Sequence, residues 1–220
     1  ERKQIDYVLD AENKEIQIQK KMSCWIARDL NEYLWDIFPN DEFLLNLKKK
    51  NVDLFTFIER DWCFTIYDPP HTWGKIKDNI ALLTFDSYEK WIKTVTKITP
   101  NNPTNRARKR GVTLQISNPS DTLAKGMWRI YNETSIRQSR GYPYYGVSYD
   151  AVLSGLKPDA TYITAHYNDE IIGFVRLEFG DNLAMINQSL SLEAHMDKGV
   201  TRALIAKAVE VSCQHNRSFL

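Results

Sequence analysis

The sequence predicts a mixed α/β (α+β, mixed-sheet) fold arranged as two domains, and three observations carry that prediction. Short runs rich in β-branched and aromatic residues alternate with segments whose apolar residues recur at helical spacing. The run Thr99-Pro100-Asn101-Asn102-Pro103-Thr104-Asn105 is the strongest punctuation in the chain and sets an expected boundary between domains at 1–99 and 100–220. Beyond it the predicted order is strand, two helices, three strands, helix, strand. The three central strands are joined by hairpin-length turns, which excludes a doubly wound nucleotide-binding sheet.

In the first domain, Cys24 to Phe38 carries Trp25, Ile26, Leu30, Leu34, Ile37 and Phe38 at helical spacing and is closed by Pro39, so it predicts a helix. Asp41 to Lys50 predicts a short second helix. Val52 to Ile58 and Cys63 to Tyr67 predict strands, with Pro69-Pro70 as a breaker. Ile80 to Phe85 predicts a further strand, and Asp86 or Ser87 caps a helix through Ile98.

In the second domain, Val112 to Ser117 predicts a strand, and Ser120 or Asp121 caps a helix to about Glu133. The stretch from Thr134 to Tyr149 is aromatic, basic and without a regular period. A short helix is predicted near Tyr149 to Leu156. Thr161 to Tyr167 and Glu170 to Phe179 form a predicted hairpin turning on Asn168-Asp169, and Gly180-Asp181-Asn182 turns again into Leu183 to Leu192. Lys198 or Gly199 opens a helix to about His215, and Ser218 begins another strand.

The 220 residues are 43% hydrophobic and 26% charged, a globular composition that excludes disorder and low-complexity architecture. With 29 basic against 28 acidic residues the net charge is +1, which speaks against a dedicated nucleic-acid binder. Cys24, Cys63 and Cys213 are far apart with no CxxC pair, so neither a disulfide framework nor a metal site is expected, and each is read as a small core residue. His71, His166 and His215 are isolated, and the six tryptophans are too scattered for a stacking platform. No run of about 18 apolar residues predicts a transmembrane segment and no signal peptide opens the chain, so a cytoplasmic setting is expected. Glu1 is not an initiator Met and the chain stops where a strand begins, so a fragment of a longer chain is expected.

The element order, with a glycine at the start of the helix after the fourth strand, resembles the GNAT acyltransferase superfamily. The wording SYEKWIKTVTK (87–97), NRARKRGVTLQIS (105–117), MWRIYNETSIRQSRGYPYYG (127–146) and ALIAKAVE (203–210) is similar to its Fem-type (FemAB-like), aminoacyltransferase-related branch. There a basic helical stretch precedes the first strand of the acyltransferase domain, as 105–111 does here. The resemblance spans roughly Ser87 to Leu220, and a complete domain of that kind continues past the fifth strand. It implies a GNAT-like acyltransferase fold behind an N-terminal α/β domain.

The resemblance also implies that acyl-CoA pyrophosphate lies on backbone N–H groups at the start of the helix after strand four, where unserved donors and the positive dipole end meet an anion. The family pattern Gln/Arg-x-x-Gly-x-Gly/Ala falls on Met196-Asp197-Lys198-Gly199-Val200-Thr201. Gly199 fits and Thr201 is small, whereas Met196 replaces a basic or amide residue and Asp197 adds a negative charge. Lys198 and Arg202 can supply positive charge instead. The competing reading is that Gly199 only eases a strand-to-helix turn.

In acyltransferases of this fold the acyl carbonyl lies beside strand four, where a backbone N–H steadies the developing oxyanion. Strict alternation puts Met185, Asn187, Ser189 and Ser191 on one face and Ile186, Gln188, Leu190 and Leu192 on the other. Asn187, Ser189 and Ser191 then line a cleft, or else an edge that faces water. Glu193 and His195 are the nearest candidates for a general base; His195 has the natural pKa for it. No Ser-His-Asp or Cys-His arrangement is legible, which disfavours covalent catalysis.

Ile136 to Gly146 gathers Arg137, Gln138, Arg140, Tyr142, Tyr144 and Tyr145 where the fold builds its acceptor wall. Two guanidiniums, an amide and three phenols can hold a phosphate, a carboxylate or a sugar ring, or the tyrosines simply pack the loop. Arg106, Arg108, Lys109 and Arg110 put four cations into five residues, either against phosphates or as a solvated helical face.

The resemblance therefore implies an acyltransferase that moves an acetyl or aminoacyl group from acyl-CoA, or a related activated donor, to an amine. A small molecule or a cell-envelope precursor is the expected acceptor, with tRNA a further partner. Met196 and Asp197 favour the alternative of a degenerate domain that keeps the fold and serves as a binding or interaction module. A third reading is an RNA-binding module built on Arg106 to Arg110 and the tyrosine loop.

Overall fold

Residues 5–9, 15–29, 34, 39–58, 73–76, 80–98, 102–180 and 182–220 are described by the structure, a computed structural model. The chain divides into two units, Glu1–Ile80 and Ala81–Leu220. The helix at 88–98 therefore lies in the second unit, ahead of the boundary expected at 99/100.

The first unit is a four-stranded sheet, β1 (Ile5–Leu9), β2 (Glu15–Lys21), β3 (Cys24–Asp29) and β4 (Leu54–Thr56), with α1 (Asp41–Lys49) between the last two. Ile16 and Ile18 alternate with Gln17 and Gln19 along β2 and are buried with Ala27, Phe43 and Leu47. The Asn40 side chain caps α1 by accepting the Phe43 N–H at 2.8 Å.

The helix expected from Cys24 is not formed at 24–29. Those residues pair antiparallel with β2 and parallel with β4, and Met22 at φ 57° makes the turn that reverses the chain. Asp53 fastens the strand, accepting the Trp25 N–H at 2.7 Å on its carboxylate and returning its own N–H to the Trp25 carbonyl at 2.9 Å. A two-residue turn beside an alternating Ile16/Ile18 strand offers Ala27 complete burial in a sheet, and that tertiary gain outweighs a helical spacing met by coincidence. The rest of that expected helix at 30–33 and 35–38, and the strand expected at 63–67, lie outside the described residues. Cys24 is exposed, not a core residue.

The second unit holds an antiparallel sheet in the order β10-β9-β8-β5, formed by β5 (Thr113–Ser117), β8 (Thr161–Tyr167), β9 (Glu170–Phe179) and β10 (Ala184–Ser191). Phe219 adds a parallel bridge to Leu183 and an antiparallel one to Thr84, so the strands expected at 80–85 and from Ser218 are present only as bridges. A two-residue hairpin, β6 (Ile136–Arg137) and β7 (Arg140–Gly141), gives the aromatic stretch its own structure. Among the described residues the unit also holds five α-helices: α2 (Tyr88–Ile98), α3 (Pro103–Arg108), α4 (Asp121–Tyr131), α5 (Tyr149–Ser154) and α6 (Val200–Gln214). From β5 to α6 the order strand, two helices, three strands, helix is the one expected from the sequence, with the β6/β7 hairpin added between the first two helices.

Two glycines let helices approach the sheet from opposite faces. A Cβ on Gly126 of α4 would stand 2.7 Å from Ile171 Cβ, and one on Gly173 of β9 would stand 2.7 Å from Val200 Cγ1 of α6. Ser120 caps α4 through the Leu123 N–H at 3.2 Å. Leu123, Ala124, Met127, Ile130 and Tyr131 form its buried stripe. Small residues at Ala203, Ala206 and Ala208 serve the same close packing on α6.

Strict alternation fails on β10. Ile186 opposes Leu177 and Gln188 opposes Arg176, so Asn187 is an extra, exposed residue in a β-bulge. Ile186 consequently shares the α6 face with Ser189 and Ser191, and Met185 shares the α4 face with Gln188 and Leu190. This reverses the expected grouping below the bulge.

Candidate functional site

Gly199 takes φ +73°, the left-handed conformation that favours glycine, and breaks a 3-10 segment (Glu193–Lys198) from α6. Among the described residues no side chain caps α6, and its first backbone bond runs from the Ala203 N–H to the Gly199 carbonyl. The N–H groups of Val200, Thr201 and Arg202 are therefore beyond the reach of any helical carbonyl.

A cavity of about 620 Å³ opens at this helix start. Its polar side is Ser191, Asp197, Gly199, Thr201, Arg202 and, from α3, Arg106; its apolar wall is Trp91 and Val95 of α2, Pro103, Val200 and Ile205, with Met196 at the rim. Two guanidiniums, a helix N-terminus and an apolar wall together suit a ligand that carries phosphate beside a flat or alkyl group. Asp197 opposes the anion, and Met196, 71% exposed, contributes no polar group.

The cavity gathers Gly199, Val200, Thr201 and Arg202 from the residues singled out in the sequence. Lys198 is turned elsewhere: its Nζ stands 4.4 Å over the Tyr167 ring and 3.8 Å from the Asp197 carboxylate. The His195 ring packs on the same tyrosine, centroids 5.4 Å apart, and does not line the cavity. Glu193 opens the 3-10 segment with its side chain exposed. Ser189 Oγ is buried with no partner among the described residues, and Asn187 sits on the bulge.

The aromatic stretch lies on the α4 face. Tyr144 stacks on Tyr131 with centroids 5.3 Å apart, and the Tyr131 hydroxyl donates to Gln188 Oε1 at 2.7 Å. Burial pushes the Tyr142 phenol up to about 12 and Tyr131 higher still. Gln138, Arg140, Tyr144 and Tyr145 are exposed, with Gln138 and Ser139 at φ 50° and 62° forming the hairpin tip. Arg137 points inward, 3.1 Å from Glu133 and from the Ser191 carbonyl.

Trp91, Val95 and Ile205 were not singled out in the sequence, whereas Arg106 was, as a possible phosphate contact within the basic run. Trp91 and Val95 are four residues apart on one face of α2, a spacing that marks a helix face without saying what it faces. Among the described residues no group of His, Cys, Asp and Glu is placed to hold a metal, and no helix is long and apolar enough to cross a membrane.

No family model and no curated protein matches the sequence. Among solved structures, L-PGS from Bacillus licheniformis matches over 98% of this chain and 66% of its own, at 14% identity and a TM-score of 0.58. The C-terminal domain (DUF2156) of a protein described as a lysylphosphatidylglycerol synthetase from Agrobacterium fabrum matches over 98% and 69%, at 13% identity and a TM-score of 0.56. The chain spans about two-thirds of their length. A Thermoplasma acidophilum PaiA N-acetyltransferase in complex with coenzyme A matches over 47% of this chain and 74% of its own, at 16% identity and a TM-score of 0.38. At these identities the likeness to the first two is one of fold.

Proposed function

We propose that this chain is the acyl-transferring part of an N-acyltransferase or aminoacyltransferase, with the donor's phosphates at the start of α6. The observation that carries the reading is the cavity itself, where the start of α6 meets Arg106 and Arg202 beside an apolar wall. An acetyl group on CoA and an aminoacyl group on tRNA both present phosphate next to an adenosine, and this chemistry suits either. The fold shared with a domain described as part of a lysylphosphatidylglycerol synthetase supports the aminoacyl donor, as does the Fem-type wording of the sequence.

In the step proposed, the acceptor lone pair forms a bond to the acyl carbon. The thioester C–S or ester C–O bond breaks, and the acceptor's proton passes to a base, with Glu193 or His195 as candidates through water. The exposed Gln138, Arg140, Tyr144 and Tyr145 are the proposed acceptor contacts, for a small amine, a cell-envelope precursor or a phosphatidylglycerol headgroup. Both donors are cytoplasmic molecules, and we place the reaction there.

Incubating the protein with acetyl-CoA or lysyl-tRNA, each with a polyamine or phosphatidylglycerol vesicles, tests the reading by mass spectrometry of the products. An acylated product dependent on Arg106 supports it. Donor binding without product would favour the second reading, a domain that binds but does not catalyse, to which Asp197 and Met196 in the lining point. Neither binding nor product would refute both.

A further inference from the structure

We propose that Glu133 and Arg137 are positioning residues that hold the rim of this cavity; the proposal rests on reading the cavity as the donor site. Leu192, at the N-cap of the 3-10 segment, has no side-chain oxygen, and no side chain at that position caps the segment. Glu133, about sixty residues earlier, does so instead. Its Oε2 accepts the Glu193 N–H at 2.8 Å and its Oε1 the Ala194 N–H at 3.2 Å.

Arg137 completes the arrangement. Its Nη2 donates to Glu133 Oε2 at 3.1 Å and to the Ile130 carbonyl at 2.9 Å, and its Nη1 to the Ser191 carbonyl at 3.1 Å. The Tyr142 ring lies under the guanidinium, 5.1 Å away. The two side chains are only 14% and 20% exposed, so these charge-assisted bonds are largely shielded from competing water.

Ser191 passes this restraint to the cavity. Its carbonyl is held by Arg137, and its hydroxyl stands 3.1 Å from the Thr201 hydroxyl in the first turn of α6. Glu133 fixes the front of the connecting segment while Arg137 fixes the strand end before it. The donor-facing N–H groups of 200–202 are thus oriented by two residues that do not line the cavity. The same Arg137 sits in the tyrosine hairpin, so the two sides of the sheet share one post.

The test compares wild type, Glu133→Gln, Arg137→Lys and a surface control, Glu170→Gln, in the full chain. Hydrogen exchange by mass spectrometry and titration with acetyl-CoA and with lysyl-tRNA are measured on each. Glu133→Gln keeps one acceptor oxygen and Arg137→Lys keeps the charge, which favours folded variants. Exchange over 193–202 should rise at least tenfold in both, with 162–177 unchanged, and affinity for the bound donor should fall about fivefold or more. The control should match wild type. Unchanged exchange over 193–202, equal loosening of 162–177, or unaltered affinity despite a loosened segment would each overturn the proposal. If wild type binds neither donor, the functional reading fails, and exchange alone decides whether the pair holds the segment.

Discussion

The Ser191 hydroxyl stands 3.1 Å from the Thr201 hydroxyl, tying the last residue of β10 to the second residue of α6. Thr201→Val keeps the shape and removes the tie. Because the pair is exposed, the loss should be modest, about 0.5–1 kcal/mol by urea unfolding. Donor affinity should fall severalfold, since the same residue lines the cavity. Unchanged affinity would show that the tie does not shape the cradle.

Gly173 gives a sharper steric test. An alanine Cβ there would stand 2.7 Å from Val200 Cγ1 and 3.1 Å from the Leu190 carbonyl oxygen and Ser191 Cβ. Two of those neighbours are strand atoms with little room to move, so α6 must shift. Gly173→Ala should destabilise the chain by about 1–3 kcal/mol, read from denaturant unfolding. A neutral effect would mean that α6 is not seated as closely as described.

His166 sets an acid limit on stability. Burial lowers its pKa, opposed in part by Asp169, and the Thr164 hydroxyl and Gln115 amide both meet its Nε2. A folded pKa below the unfolded value means that, as pH falls through about 6.5, the unfolded chain takes up a proton that the folded chain refuses. Stability should therefore fall on acidification from pH 7.5 to 5.5, and His166→Gln should flatten that slope. Identical slopes in the two proteins would remove His166 as the cause.

Most of the second unit was legible because its signals are local. Ser120 before a buried stripe, Asn168-Asp169 between two strand-forming runs, and Gly199 before an alanine-rich helix each specify an element within a few residues. Residues 199–202, which line the cavity, were singled out by the family resemblance and not by such a local signal. What was not legible depends on pairings distant in sequence. Trp25 and Ile26 suit either a helix or a strand, and β2 with Asp53, 28 residues away, decides for the strand. The bulge at Asn187 appears only when β10 is paired with β9. Arg137 looked like a ligand contact beside Arg140, and only the fold brings Ser191, 54 residues away, to it. Ile16 and Ile18, by contrast, alternate plainly in the sequence and mark a strand that helical spacing further on obscured.

The most direct measurement is thermal unfolding with and without donor, on wild type and on an Arg106→Glu/Arg202→Glu variant. At 100 times Kd a ligand should stabilise the folded state by about 2.7 kcal/mol. For a chain of this size that corresponds to a rise of roughly 5–10 °C in Tm. The account predicts that rise in wild type with acetyl-CoA or with aminoacyl-tRNA, and its loss in the double variant. No rise with either donor, or an equal rise in the variant, would contradict a donor site at the start of α6.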